Sequence, residues 1–315
     1  SSKGSLMTYW PASSSTTPRY AGPVSFFRLP TLSNPADADI ALIGLPYDGG
    51  TTNRSGTRHG PREMRAMSMF IRPFHHVTKT SPYTTHRVAD FGDCPMNPID
   101  IMESLSMITG FYETFRFAGV KPLTAGGDHL ITLPILRALA KDGPVGLIQF
   151  DAHSDTNDSY FGGHKYTHGT HVRRASEEGL VDPHRCVQIG IRGTRYAPDG
   201  NDFAENAGVT TLYIEDVYHL GIAGVIAEAR RIVGDQPTYL TFDVDGIDPA
   251  YTPGTGTPEV GGYTVFEAQQ MVRGLKGLNL IGADVVEVSP PFDPSGNTAL
   301  VGATMMFEIL CALAG

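Results

Sequence analysis

The sequence predicts a single α/β domain in which helices cover both faces of a mainly parallel sheet, a three-layer α/β/α arrangement. Short apolar runs bounded by turn residues recur along the chain, and helical patterns lie between them. Several runs are apolar throughout rather than alternating, as strands buried on both faces should be. The sequence contains no obvious linker, so residues 20–315 are expected to form one domain after a tail over residues 1–19, of which residues 1–6 could be vector-derived.

Seven apolar runs are predicted to be strands, because Gly, Pro or polar residues bound each of them. In chain order they cover residues 39–45, 120–125, 145–150, 185–191, 209–214, 238–242 and 278–288. In a sheet of this kind, ligands bind outside the carboxyl ends of the strands. Functional residues are therefore expected directly after the strands.

Five segments are predicted to be helices from apolar spacings of three and four residues. They cover residues 61–71, 98–119, 221–234, 265–275 and 299–314. Pro61 stands where proline is favoured, at the first position of a helix, and Gly119 stands where a helix commonly ends. A further helix is expected to begin at His168 and to continue through residues 169–179.

The composition argues against several classes of partner and site. The formal net charge of −9 disfavours nucleic acid or an anionic membrane as a partner. No apolar run has the length that spans a bilayer, and we expect no signal peptide because the first residues lack an apolar core. Cys94, Cys186 and Cys311 are too few for a disulfide framework or a cysteine-based zinc site. The cytoplasm is therefore the expected compartment.

Three predicted strand ends carry carboxylates and imidazoles, which ligate divalent metals. The set is His129 after the strand at 120–125, Asp151, His153 and Asp155 after the strand at 145–150, and Asp243 and Asp245 at the strand of 238–242. Four carboxylates in one cleft repel each other, and two divalent ions would neutralise them. We therefore predict two such ions. Mn²⁺ is favoured over Zn²⁺ because hard oxygen ligands dominate, with Ni²⁺ or Co²⁺ as alternatives.

A calcium loop is a competing interpretation of residues 243–248. That loop requires Gly at its sixth position and Glu at its twelfth. Counting from Asp243, these positions hold Asp248 and Gly254, so the calcium interpretation fails. Asp248, directly before Pro249, is predicted to be a turn residue.

These motifs resemble those of the ureohydrolases, the arginase and agmatinase family. The resemblance rests on GGDH (126–129), DAHSD (151–155), FDVDGIDPA (242–250), GTRHGPREMR (56–65), HGT (168–170) and VVEVSPP (285–291), and it extends from about residue 20 to the C-terminus. The chain is similar above all to the branch of bacterial guanidinopropionases and guanidinobutyrases. The resemblance implies an arginase-like fold, two Mn²⁺ ions per subunit and a homo-oligomer, trimeric or hexameric, with a hetero-oligomer as the alternative.

The resemblance also implies roles for individual residues. Asp151 and Asp243 would bridge the two ions, with His129 and Asp155 completing one site and His153 and Asp245 the other. A bridging hydroxide would then attack the guanidinium carbon, giving urea and an amine. His168 matches the proton-shuttle histidine of the family, and Glu287 matches the carboxylate that holds the guanidinium.

General chemistry agrees with the last two roles. An amine leaves readily only when it is protonated, so a histidine beside the cleft is useful. Glu287 ends an otherwise apolar strand, where an unpaired carboxylate is costly, and a guanidinium suits a bidentate carboxylate. The competing interpretations are an exposed histidine at a helix start and a salt bridge from Glu287 to a buried arginine.

Substrate choice is expected to depend on the loop at residues 157–171. Asn157 and Tyr160 are predicted to donate hydrogen bonds to the far end of a small guanidino substrate. His164 and His171 add positive charge that would suit the carboxylate of 3-guanidinopropionate or 4-guanidinobutyrate, whereas Lys165 more simply fits a solvated lysine.

Alternatives to a guanidino acid remain at this point. His171 replaces the proline of the HGTP sequence expected in this branch, and the loop at residues 50–58 is a second candidate wall. Agmatine, N-alkylated guanidines or biguanides such as metformin are therefore competing substrates. Competing classes of protein are a non-catalytic subunit of a hetero-oligomer, an arginase-fold deacetylase with one zinc ion, and a cysteine-based enzyme, although neither Cys94 nor Cys186 lies in a motif that activates a thiolate.

Overall fold

The computed structural model describes residues 9–315, and over these residues one sheet of eight parallel strands forms the centre of the protein. The strands are β1 (Ile40–Leu45), β2 (Val88–Asp93), β3 (Lys121–Gly126), β4 (Val145–Phe150), β5 (Val181–Ile191), β6 (Thr210–Tyr213), β7 (Thr238–Asp243) and β8 (Leu280–Val286). Their order in the sheet is β2-β1-β3-β8-β7-β4-β5-β6. The predicted fold class is confirmed, while the suggested origin of residues 1–6 concerns residues outside the described part.

The helices lie between the strands along the chain. They are α1 (Gly60–Met67), α2 (Ile101–Phe117), α3 (Thr132–Leu139), α4 (His171–Glu177), α5 (Asp202–Ala207), α6 (Ile214–Val233), α7 (Val265–Arg273) and α8 (Asn297–Leu313). Gly221, with a φ of 72°, interrupts α6, so the helix predicted at 221–234 is its second part. The predicted helix at 61–71 is shorter, because a 3₁₀ turn over Ser68–Phe70 follows α1.

The two faces of the sheet bury separate hydrophobic clusters, and β1 shows how the alternation of side chains divides them. Ile40 and Leu42 belong to the cluster that includes residues of α1, α6, α7 and α8. Ala41, Ile43 and Leu45 belong to the cluster that includes residues of α2 and α3. Strands buried on both faces therefore lie between two helical layers, as the continuous apolar runs predicted.

The centre of the sheet positions the candidate site. Strands β3, β8, β7 and β4 are consecutive neighbours, and the chain leaves all four at the same edge because they are parallel. Gly127 makes the tight exit from β3 with a φ of 56°, and a Cβ atom there would lie 2.5 Å from the carbonyl oxygen of Leu45. Only glycine fits this exit without strain. Within the described residues, every helix is too short or too polar to cross a membrane.

Candidate metal centre and cleft

Four predicted metal ligands meet around the imidazole of His129, just beyond β3, β4 and β7. Its Nδ1 atom lies 3.0 Å from Oδ2 of Asp151, 3.2 Å from Oδ2 of Asp155 and 3.1 Å from Oδ2 of Asp243. All four residues are buried. One imidazole nitrogen and three carboxylate oxygens within this space form a donor set suited to a divalent ion.

A second group lies beside the first and shares Asp151 with it. Nδ1 of His153 lies 3.1 Å from Oδ2 of Asp245 and 3.6 Å from Oδ1 of Asp151. The structure thus brings all six predicted ligands together in two adjoining groups. Asp151 belongs to both groups, whereas Asp243 belongs only to the group around His129.

Local turns and buried polar neighbours orient these ligands. Asp151 accepts a hydrogen bond from the backbone N–H of His153 at 2.7 Å, and Asp243 accepts one from the N–H of Asp245 at 2.8 Å. Nε2 of His129 lies 2.7 Å from Oγ1 of Thr241, so the opposite ring nitrogen faces the carboxylates. Partners of this kind fix the orientation of a metal ligand.

The electrostatics of the cluster favour a bound cation. Burial first, and then the charge of Asp151, raise the pKa of Asp155, Asp243 and Asp245. Burial also opposes ionisation of Asp151, but hydrogen bonds with His129 and His153 lower its pKa well below the usual value. The four carboxylates therefore resist being ionised together, and divalent cations would relieve that repulsion.

Glu287 directly follows β8 and has one satisfied and one unsatisfied carboxylate oxygen. Oε1 accepts hydrogen bonds from the backbone N–H of His129 at 2.7 Å and from Nδ1 of His168 at 2.9 Å. Oε2 is buried and has no hydrogen-bond partner among the described residues. Glu287 and Asp155 also have positive φ angles, 72° and 54°, which are strained for residues with side chains. A cationic donor is the partner that Oε2 lacks.

His168 lies in the loop before α4 rather than at a helix start, because that helix begins three residues later, at His171. Its Nε2 atom lies 2.8 Å from Oγ1 of Thr52 and 3.1 Å from the backbone nitrogen of Thr52. Burial opposes a charge on the ring, but the carboxylate of Glu287 outweighs this effect and raises the pKa of His168 to about 9. The predicted exposed alternative is wrong, since His168 is 7% exposed.

The two groups and Glu287 open into one cavity of about 720 Å³. Its wall includes both Asn157 and Tyr160, and Nδ2 of Asn157 donates to the Tyr160 hydroxyl at 2.8 Å. Thr52 and Asn53, from the second candidate loop, also line it.

The structure does not bring His164 or His171 to this wall, contrary to expectation. His164 is exposed, because its backbone pairs with Tyr160 in a tight turn that faces solvent. Lys165 is exposed as well, as its simpler interpretation predicted. His171 is buried behind the metal ligands, with its ring centroid 4.1 Å from that of His129.

Several residues near the centre escaped the sequence analysis. Asp128 is buried, and burial followed by the charge of Glu287 raises its pKa to about 7. Glu259 lies 3.3 Å from Nε2 of His153, and Asp284 accepts from Oγ1 of Thr241 at 2.5 Å. Only Asp128 had a signal in the sequence, namely its position directly before His129 in the GGDH motif.

The remaining sequence predictions near the site concern Asp248 and the cysteines. Asp248 accepts hydrogen bonds from the backbone N–H groups of Ala250, Gly261 and Gly262, as a turn residue should. Burial raises the pKa of the Cys186 thiol to about 12 and also raises that of Cys94. Both thiols therefore stay neutral, which argues against a cysteine nucleophile.

Comparisons with known proteins agree with this geometry. A model of the Arginase family matches residues 38–312. A guanidinopropionase of Pseudomonas aeruginosa is 59% identical over 304 residues, which are 96% of each chain. The mitochondrial guanidino acid hydrolase of Homo sapiens is 45% identical, over 96% of this chain and 86% of its own length.

A solved structure, that of the proclavaminate amidino hydrolase of Streptomyces clavuligerus, is similar with a TM-score of 0.91 and 37% identity, over 95% of this chain and 99% of that one. Sequence, fold and the arrangement of the buried histidines and aspartates thus lead to one assignment. The chain belongs to the arginase family.

Proposed function

We propose that this protein hydrolyses a guanidino acid, 3-guanidinopropionate first and 4-guanidinobutyrate second, to urea and an amino acid. The observation that carries the proposal is the buried, unpartnered Oε2 atom of Glu287, which lies in the wall of the same cavity as the His/Asp groups. The 59% identity to a guanidinopropionase supports the choice of substrate.

The six predicted ligands, all buried except the partly exposed His153, would hold two divalent ions, one in each group. His129, Asp151, Asp155 and Asp243 would hold the first, and Asp151, His153 and Asp245 the second. Ions bound there would supply an activated water molecule and polarise the substrate. The preference for Mn²⁺ follows from the predominance of carboxylate oxygens, and Ni²⁺ and Co²⁺ are the alternatives to test.

Glu287 would orient the guanidinium group. Because Oε1 is already held by His129 N–H and by His168, the carboxylate cannot turn freely, and Oε2 is left to accept from the substrate. A planar guanidinium donor forms strong hydrogen bonds with such a carboxylate. The carbon to be attacked would then lie between Glu287 and the metal ligands.

His168 would protonate the amine as it leaves. Its raised pKa, about 9, favours the protonated ring at neutral pH. In this structure Nε2 accepts a hydrogen bond from the backbone N–H of Thr52, so protonation of Nε2 would replace that bond with donation to Oγ1 of Thr52, 2.8 Å away. General acid catalysis of this kind makes expulsion of an amine feasible. Glu287 would hold the ring in position through Nδ1.

The carboxylate of the substrate would bind toward the outer wall of the cavity. Asn157 and Tyr160 are polar groups on that wall. Arg192 is already occupied by five backbone carbonyl groups, including those of Asp245 and Glu259. The exposed Arg195 also lines the cavity, where it donates to the Tyr213 hydroxyl and to the carbonyl oxygen of Pro198, and it would take the place that His164 and His171 held in the sequence prediction.

A substrate panel tests this function. The apoprotein would be reconstituted with Mn²⁺ or Ni²⁺ and offered 3-guanidinopropionate, 4-guanidinobutyrate, agmatine, arginine and dimethylbiguanide, with urea and amine both measured. We expect the highest kcat/KM for 3-guanidinopropionate. Amine release from dimethylbiguanide alone would refute the carboxylate preference, and no turnover of any compound with either metal would favour a non-catalytic subunit. We also propose that the protein is a homo-oligomer, either a trimer or a hexamer, and light scattering of the same samples measures this. We propose a cytoplasmic location, which fractionation of the source cells tests.

A further inference from the structure

His171 is a buried histidine that the reaction proposed above does not use. It is the first residue of α4 and is 1% exposed. Its Nδ1 atom lies 3.2 Å from the carbonyl oxygen of His168, so that carbonyl accepts the Nδ1 proton. The lone pair of the neutral ring is then on Nε2, which has no hydrogen-bond partner among the described residues. A buried polar atom without a partner requires an explanation, and a role in binding an ion is one of the usual ones.

The surroundings of the ring point to a cation. His171 packs against His129, and one donor atom each of His129, Asp155 and His171 lie within 4.8 Å of one another. In octahedral geometry, each ligand atom lies about 2.1 Å from the ion. Two ligand atoms are then about 3 Å apart when they occupy adjacent positions and about 4.2 Å apart when they occupy opposite positions. The nitrogen of His171 that faces Asp155 in this structure is Nδ1, 3.7 Å from Oδ2, so ligation through Nε2 requires the ring to turn about its side-chain torsions.

We propose that His171 is a third imidazole ligand of the metal centre, binding through Nε2 the ion that His129 and Asp155 hold. This inference rests on the metal centre of the proposed function but not on its substrate. A hydrogen bond from the opposite ring nitrogen to a backbone carbonyl is the usual way in which a ligating histidine is oriented. The added nitrogen donor would also shift the centre toward metals that favour imidazole, such as Ni²⁺ and Co²⁺, relative to Mn²⁺.

The imidazole of His171 can be removed by a substitution that suits the backbone at this position. Position 171 is the first residue of α4, where proline is well tolerated, and the His171 N–H donates no hydrogen bond within the described residues. His171→Pro should therefore preserve the backbone, and His171→Leu provides a second variant in case the first fails to fold. His164→Leu is the matched control, because His164 belongs to the same loop but is exposed.

The test is the binding of Co²⁺ to apoprotein, followed by calorimetry and by the visible absorption of the bound ion, which responds to its ligands. We expect wild-type protein and His164→Leu to bind two ions with the same spectrum. Both His171 variants should bind one of the two ions about 10- to 100-fold more weakly and with an altered spectrum.

Wild-type affinities and an unchanged spectrum in a folded His171→Leu protein would overturn the inference. If the wild-type protein bound no Co²⁺, the metal centre itself would be wrong and the inference would fall with it. Neither readout involves urea release, so a failure of the substrate proposal leaves this test intact.

Discussion

The spacing of two residues between ligands has a structural as well as a chemical reason. In both Asp151–His153 and Asp243–Asp245, the first carboxylate accepts a hydrogen bond from the backbone N–H of the second ligand. Asp128 accepts from the N–H of Leu130 in the same way. The turn that orients the first side chain thus also places the second candidate ligand close to it. This explains how short motifs can specify most of the candidate metal centre.

Glu287→Gln tests the role of the unpartnered oxygen. A glutamine can still accept from His129 N–H and His168, but its amide group would present hydrogens to the donors of the substrate. We expect kcat/KM for 3-guanidinopropionate to fall about 10²- to 10³-fold, because a buried charged partner is lost. Bound metal, measured on the same sample, should not change.

Glu215→Gln is the control for that experiment, since Glu215 also lines the cavity but lies outside the two metal groups and does not contact His168. It should retain nearly wild-type kcat/KM. A Glu287→Gln protein that loses less than about tenfold while keeping its metal would contradict the proposed contact with the guanidinium.

Residue types alone predicted which candidate ligands lie together but not their surroundings. All six metal-ligand candidates, His168 and Glu287 lie together as their motifs predicted. Glu259 and Asp284 carry no local signal, because their contacts with His153 and with Thr241 join distant segments. His164 and His171 were assigned to the cavity wall from charge alone, and charge does not show which way a loop side chain points.

Among the elements, the exit from β3 at Gly127 has a tightly constrained backbone conformation. Gly127→Ala would bring a Cβ atom to 2.5 Å from the carbonyl oxygen of Leu45 and 2.6 Å from that of Tyr47, at a φ of 56°. We expect a loss of about 1–3 kcal/mol or more in the free energy of unfolding, measured with denaturant. A neutral result would show that this exit is not strained.

Gly110→Ala is the matched control for Gly127→Ala. Gly110 is exposed within α2, and a Cβ atom there would meet nothing within 4 Å. Alanine should therefore stabilise the protein by about 0.5–1 kcal/mol, since glycine is unfavourable in a helix interior.

Two of the elements that the sequence analysis missed, β2 and α3, were missed for identifiable reasons. β2 contains Asp90 and Asp93, whose carboxylates interrupt its apolar pattern and are paired with Arg65 at 3.0 Å and 2.6 Å. α3 follows the 3₁₀ turn over His129–Ile131 so closely that no separate start signal precedes it. The formation of β2 and α3 thus depends on tertiary partners rather than on local propensity.

For the whole molecule, metal removal should make stability depend on pH in a defined direction. Asp155, Asp243 and Asp245 have raised pKa values in the folded chain, so the folded state binds protons more tightly than the unfolded state. His129 and His153 also have raised pKa values, and their contribution is likewise lost as pH rises. Stability of the apoprotein should therefore fall as pH increases from about 5 to 8.

Thermal unfolding with and without metal checks this expectation. The Tm of the apoprotein should decrease across that pH range, while saturating Mn²⁺ should raise Tm most at the upper end, because the cation pairs with ionised carboxylates. The lowered pKa of Asp151 does not alter the sign, since that group stays ionised over the whole range. His171, whose pKa burial lowers, acts in the opposite direction near pH 6.5, but it is one group against the five with raised pKa values. A Tm of the apoprotein that rises toward pH 8 would contradict the electrostatic account of the cluster.

The central position of β3, β8, β7 and β4 has a consequence for synthesis of the chain. The hydrogen bond from the His129 N–H to Glu287 joins positions 158 residues apart, and the other candidate ligands, which lie between these positions, are at the ends of two further strands, β4 and β7. A nascent chain on the ribosome therefore carries His129 and the DAHSD motif long before β7 and β8 emerge. The candidate ligands can therefore meet only after β7 and β8, which lie between β3 and β4 in the sheet, have been synthesised.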